Sequence, residues 1–281
     1  MKAIQSVLAP YGDHHRLLEC RLWYFETLLD ANNTALAESG FHGIRRKAHK
    51  KKRLRIEATF FLGICYLRQK KLQEAKTVLR IVLSALNQEK SSKTRQFLQK
   101  RIIERIEEES ILTELIGVED GTLRKEDIHN EAVKLVQKTE DELFELLGRN
   151  IPYRAFALLQ DVRNDAILHL SIADRKLLPP AGYATQERQV GKRAFEALKR
   201  VGWNTLCDPK SPIYKLWSQK MPQVYTGGYF AAAVFTAFQD WHIGLPFLAA
   251  GLAAIAMKYA ATEFCDLTRP ESIMETRRKK A

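Results

Sequence analysis

Apolar residues recur at helical spacing along most of the chain. Residues 14–40 carry Leu17, Leu18, Leu22, Tyr24, Phe25, Leu28 and Leu29. They predict one amphipathic helix and a short turn to Ala37, broken by Gly40 and Gly43. Residues 54–88 predict a helical hairpin, and residues 93–117 one long helix with Phe97, Ile102, Ile106 and Leu115 among its apolar positions. The charges of that helix, Arg101 and Arg105 against Glu108 and Glu109, suit a solvent-facing side with i,i+4 pairs. The next helix runs from Lys125 to Leu147, with Ile128, Ala132, Leu135, Val136, Leu143 and Leu147 on its apolar side and Gly148 as its cap. Pro152 opens another helix reaching about Leu178, and a further one covers Gln186 to Val201. Strand signals are nearly absent, so the fold class is all-α.

The pattern then changes. Trp203, Pro209, Pro212, Tyr214, Trp217 and Pro222 crowd together and read as an interfacial linker. From Met221 to Met257 follow 37 residues with one formal charge, Asp240, in a chain that is 28% Asp, Glu, Lys and Arg. Met221–Gln239 gives 19 uncharged residues and Trp241–Met257 gives 17. A span needs roughly 20 apolar residues, so both are at the short end. They predict a transmembrane hairpin turning at Asp240 and His242, with a buried hairpin as the alternative. Gly227, Gly228, Ala231 and Ala232 on one helix, and Ala249, Ala250, Ala253 and Ala254 on the other, form small faces for close packing. Lys258 would snorkel to the headgroups. Lysines and arginines flank both spans and the turn has none, which places both termini in the cytoplasm at the inner membrane. The expected organisation is therefore a basic helical domain (1–201), a linker (202–222), a hairpin (223–264) and a basic tail (265–281).

Charge sharpens the picture. The formal net charge is +12 and the pI about 9.5, which suits an anionic lipid surface or nucleic acid. The densest run holds Arg45, Arg46, Lys47, Lys50, Lys51, Lys52 and Arg53. It reads either as solvated helix ends or as a phosphate-binding patch, and no aromatic residue is interleaved to stack bases. Cys20, Cys65, Cys207 and Cys265 form no CxxC pair and are expected to be reduced, without a zinc site. The first residues lack the long apolar core of a signal peptide.

Catalytic motifs are sparse. No P-loop, dinucleotide fingerprint or nucleophile elbow is present, and His14-His15 lacks a ligand set, so no cofactor or metal is expected and no enzymatic activity. Glu107-Glu108-Glu109 is read as a solvated helix surface. Arg163-Asn164, followed by His169, resembles the signature of HEPN ribonucleases, in which Arg and His from facing subunits cut RNA. That resemblance implies Arg163 and His169 as an alternative catalytic pair.

Two further resemblances concern architecture. Leu62-Gly63, Tyr66 and Ala75 resemble a tetratricopeptide repeat. The resemblance implies a close helix crossing at Gly63 and Ala75, Tyr66 filling the gap, and Leu79 and Val82 facing a neighbour. The family's final proline is missing, and no second copy is obvious about 34 residues away. A basic helical domain ending in a two-span hairpin is similar to two-transmembrane effectors of bacterial antiphage systems, such as those beside retron reverse transcriptases. This implies a toxin restrained by a reverse transcriptase–RNA/DNA complex, which on release self-associates, permeabilises the inner membrane and causes abortive infection. The alternatives are a membrane-anchored helical-repeat scaffold and a membrane-tethered ribonuclease.

Overall fold

The computed structural model describes residues 7, 9–11, 14–119, 122–178, 186–219, 228–259, 261–269 and 273. The helices in chain order are α1 (His15–Asp30), α2 (Thr34–Lys47), α3 (Lys52–Arg68), α4 (Leu72–Leu86) and α5 (Ser92–Leu115). Then come α6 (Lys125–Leu135), α7 (Glu140–Arg149), α8 (Tyr153–Leu168) and α9 (Ile172–Arg175). The remainder are α10 (Glu187–Cys207), α11 (Pro212–Gln219), α12 (Tyr229–Asp240), α13 (Pro246–Met257) and α14 (Ala261–Thr268). Two short strands, β1 (Val118–Glu119) and β2 (Ile243–Gly244), pair in parallel. The all-α class holds.

The chain forms two compact units. The first comprises Met1–Glu109, Gln160–Leu178 and Glu271–Ala281, and the second Ser110–Leu159 and Pro179–Pro270. In the first unit the expected single helix over 14–40 is two, α1 and α2, joined by a tight turn; α2 runs straight through Gly40 and Gly43. In the second, the expected helix from Lys125 to Leu147 is also two. Thr139 and Glu142 form a capping box that starts α7 afresh. Gly148 lies inside α7, and the cap is Asn150.

The transmembrane hairpin is overturned. Among the described residues no helix is long and apolar enough to cross a membrane. The apolar stretch holds α12 and α13, of 12 residues each. Such a helix is about 18 Å long, against roughly 30 Å of hydrocarbon. Every residue from Leu248 to Met257 is buried, by protein: α13 packs on α6, α7, α10 and α12. A helix that is apolar all round suits a protein core as well as a bilayer, and that ambiguity produced the membrane expectation. The two-span inner-membrane placement and its orientation go with it. Ala249, Ala250, Ala253 and Ala254 are fully buried small residues of this core, with Ala231 beside them and Ala232 half-buried. Gly228 caps α12 at φ 66°, and Gly227 lies outside the described residues. Lys258 Nζ donates to the Lys138 carbonyl, and Tyr259 OH to Glu140. Asp240 and His242 are exposed, as expected of the turn.

Residues 202–219 are helical for the most part: α10 continues to Cys207, and α11 follows. Trp203 packs partly buried on the core, its indole Nε1 donating to the Cys265 carbonyl at 3.5 Å. Cys207 and Cys265 are joined in a disulfide, contrary to the expectation of four reduced thiols. It ties α14 to α10 across 58 residues with Cα atoms 5.4 Å apart. Closing such a loop stabilises by about 2–4 kcal/mol. Cys20 and Cys65 are free and buried, and burial pushes the Cys65 thiol up to about 12.

The closest helix contact of the second unit is α7 on α10. A Cβ on Gly191 would stand 1.7 Å from the Phe144 carbonyl oxygen, and one on Gly148 would stand 1.9 Å from that of Glu187. We predict that Gly191→Ala forces α7 and α10 apart and costs about 1–3 kcal/mol, read as a lower urea midpoint; an unchanged midpoint would show that these helices do not pack this closely.

Candidate functional site

The first unit is built on two helical hairpins of one design. The α1–α2 turn places Asn32 at φ 61°, and the α3–α4 turn places Lys70 at φ 59°. Asn32 N–H donates to Leu29 O at 3.0 Å and Asn33 N–H to Leu28 O at 2.8 Å. In the second turn Lys70 N–H donates to Leu67 O at 2.8 Å and Lys71 N–H to Tyr66 O at 2.9 Å. Each of these residues has its counterpart 38 positions on. The same offset matches buried Ala37, Phe41 and Ile44 in α2, and Ala48 at its C-cap, with buried Ala75, Leu79, Val82 and Leu86 in α4.

Of the residues read as a tetratricopeptide-like hairpin, Leu79 lies against Gly63 within its own hairpin, where it was expected to face a neighbour. Ala75 is fully buried at the crossing, and a Cβ on Gly63 would stand 3.1 Å from Leu79 Cδ2. Tyr66 is half-buried, with its hydroxyl 3.3 Å from His42 Nε2 of α2. In the first hairpin the small and large partners are exchanged. Phe25 stands at the position of Gly63, and Gly40 at that of Val78; a Cβ on Gly40 would lie 2.2 Å from the Phe25 ring. An open depression sits at the turns, lined by residues 31–35, Glu38 and Gln69.

The basic run falls at the junction of the two hairpins. Arg45, Arg46 and Lys47 end α2, where positive charge suits the C-terminal dipole. Lys52 and Arg53 begin α3, where it does not; the first turn holds no acidic residue and the N-cap makes no side-chain hydrogen bond. Arg45, Arg46, Lys47, Lys50, Lys52, Arg53 and Arg55 are exposed, and Lys51 is half-buried. By sequence the first unit holds 29 Lys and Arg against 17 Asp and Glu, the second 16 of each, so the whole excess of +12 belongs to the first.

Many acids of the first unit lie inside it. Glu107, Glu108 and Glu109 are 3%, 6% and 0% exposed, which overturns their reading as a solvated face. Glu109 accepts from Arg68 Nε at 2.8 Å and Nη2 at 3.0 Å, and pairs with Arg105 Nη2 at 2.7 Å. Arg105 also donates to Asp30 at 3.1 Å, and Arg68 to the Leu29 carbonyl. The Arg105–Glu109 pair is the i,i+4 contact the sequence suggested, but it is buried. Burial, and next Asp30, holds the nearby Glu26 carboxyl well above the usual range. Asp174 accepts from Arg95, Ser171 and Gln99, and the Arg95 contact lowers its pKa to about 2 against burial.

The ribonuclease-like pair does not form a shared open site. Arg163 is 6% exposed and donates to the buried Glu107. His169 lies just beyond α8, with its Nε2 3.7 Å from Asp165. Among the described residues no group of three or more His, Cys, Asp or Glu could hold a metal ion.

Comparison with known protein families, with curated proteins and with solved structures gives no match.

Two groups titrate in opposite senses. Asp174 contributes stability above its ordinary value of 3.8 that is lost as pH falls through about 2. Glu26, raised in the folded chain, costs nothing below its unfolded pKa, and its cost grows as pH rises toward the folded value. We therefore predict that Glu26→Gln raises the thermal midpoint at pH 8 more than at pH 4.5; an equal effect at both, or a loss at pH 8, would contradict this burial.

Proposed function

We propose that the chain is a helical-repeat scaffold, a binding module whose first unit presents α1–α4 to a partner. The observation that carries this reading is the 38-residue repetition of turn geometry and buried positions. Stacked helical hairpins bury a continuous core and leave an extended surface for partners. On that surface Trp23 and Tyr24 of α1 are 48% and 41% exposed, and Leu36 of α2 is 47% exposed. Aromatic residues of this kind dominate binding energy where they are displayed. The resemblance to tetratricopeptide repeats supports the same reading, though the period here is four residues longer. Regulation by a partner, as in the effector comparison, is compatible with it. The permeabilising step needed a spanning hairpin and is not carried forward. Cleavage of RNA is not favoured, because Arg163 is turned into an ion pair.

The test is capture of partners by the tagged full-length chain in its native cells, with quantitative mass spectrometry. A partner that binds the purified wild-type chain, and binds Trp23→Ala/Tyr24→Ala at least tenfold more weakly at an unchanged thermal midpoint, is the expected result. Recovery of no partner, or of partners held equally by the double variant, would overturn the scaffold reading.

A further inference from the structure

We propose that the outer face of α1 is a docking site for an amphipathic α-helix of another protein, seated there as α2 is seated on α3. This rests on the scaffold reading and names the class of partner for the Trp23 and Tyr24 face.

The 38-residue offset sets Arg16, Trp23, Tyr24 and Thr27 of α1 at the positions of Leu54, Phe61, Leu62 and Cys65 of α3. Each set falls on one helix face about 100° wide. In α3 the four residues are at most 2% exposed. In α1 all four are exposed. The repeat thus builds one face twice and covers it once.

Helix α2 supplies the cover on α3. The Phe41 ring stacks on that of Phe61, with centroids 5.1 Å apart and planes at 15°. Close to Phe41 on α2, Glu38 accepts from Gln69 Nε2, and Gln69 extends the same side of α3 beyond Cys65. The buried row of α2 is Ala37, Phe41 and Ile44, spaced as helices that fill grooves are spaced. Among the described residues no helical hairpin precedes α1, and no counterpart of α2 covers its face.

The side chains of α1 set the chemistry of the occupant. Trp23 and Tyr24 are larger than Phe61 and Leu62, so the incoming helix needs a smaller residue where α2 has Phe41. The first hairpin already makes such an exchange between Phe25 and Gly40. Arg16 replaces Leu54 at one end of the face and matches an acidic residue on the flank of the helix. A second copy of the chain cannot lend α2 or α4, because their matching rows are buried in their own unit.

The test uses the full-length chain and a fluorescent, hydrocarbon-stapled helix. The helix bears alanine, leucine and isoleucine at the spacing of Ala37, Phe41 and Ile44, with glutamate on its opposite face. Anisotropy should show saturable binding to the wild-type chain. Trp23→Ala/Tyr24→Ala should bind at least about tenfold more weakly. Thr27→Arg keeps both rings and suits the last turn of α1, yet should bind at least about fivefold more weakly by obstructing the face. A scrambled helix of the same composition should bind at least about tenfold more weakly. Ile81→Ala, at an exposed residue of α4, should bind like wild type. No binding by the wild type, equal binding of the scrambled helix, or equal losses in Ile81→Ala would overturn the proposal. So would Trp23-dependent self-association of the chain in sedimentation, which would give the face to a second copy. Failure here with Trp23-dependent partner capture intact sinks this proposal alone. Helix binding here with no captured partner sinks the scaffold reading alone.

Discussion

Glu109 is a fully buried carboxylate held by two arginines, and the first unit is organised around it. Removing such ions from water costs several kcal/mol each, and only good geometry with several hydrogen bonds offsets this. Here Arg68 meets Glu109 with two bonds, and Arg105 links Glu109 to Asp30. Asp30 ends α1 and Arg68 ends α3, at equivalent positions of the two hairpins. Helix α5 thus carries an arginine for one repeat and a glutamate for the other. Opposite charges at matched positions would fix which hairpin meets which turn of α5, because sliding α5 by one turn would leave a buried charge alone.

The same burial shapes the outside. Glu107 and Glu109 are consumed inside the first unit by Arg163, Arg68 and Arg105, and exposed lysines and arginines concentrate where α2 meets α3. The second unit is electrically balanced by composition and stabilised differently. Its core is the alanine-rich α13, where small side chains allow close approach to α6, α7, α10 and α12. The Cys207–Cys265 bond fastens α14 to that framework.

Much of this was legible in the sequence, and the rest was hidden for identifiable reasons. The α3–α4 hairpin was readable because Gly63, Ala75, Leu79 and Val82 keep their spacing. Its companion was not, because Phe25 and Gly40 exchange the roles of large and small residue, and because the offset is 38 rather than 34. The pattern shared by Ala37, Phe41 and Ile44 with Ala75, Leu79 and Val82 would have revealed it. Thr139 and Glu142 announced the start of α7 at capping-box spacing, but continuous apolar periodicity obscured the break. The environment of α13 was not readable, since an apolar helix looks alike to lipid and to protein; only its length of 12 residues decides. Glu107 and Glu109 looked solvated because Arg163 and Arg68, which pair with them, and Asp30, which pairs with Arg105, lie 41 to 75 positions from those partners. The basic run was visible from the start, and the structure adds that its side chains are exposed and its apolar neighbours are not.

The most direct test of this organisation is a double-mutant cycle on Arg68 and Glu109, using Arg68→Met and Glu109→Leu, with stability measured by urea unfolding. Each single variant leaves the buried cluster of Asp30, Arg68, Arg105 and Glu109 one charge out of balance, whereas the double variant restores the balance, so the account predicts a coupling energy of at least about 2 kcal/mol and a double variant more stable than either single one. Additive losses, with coupling near zero, would show that the two side chains do not meet in the folded chain and would contradict the account.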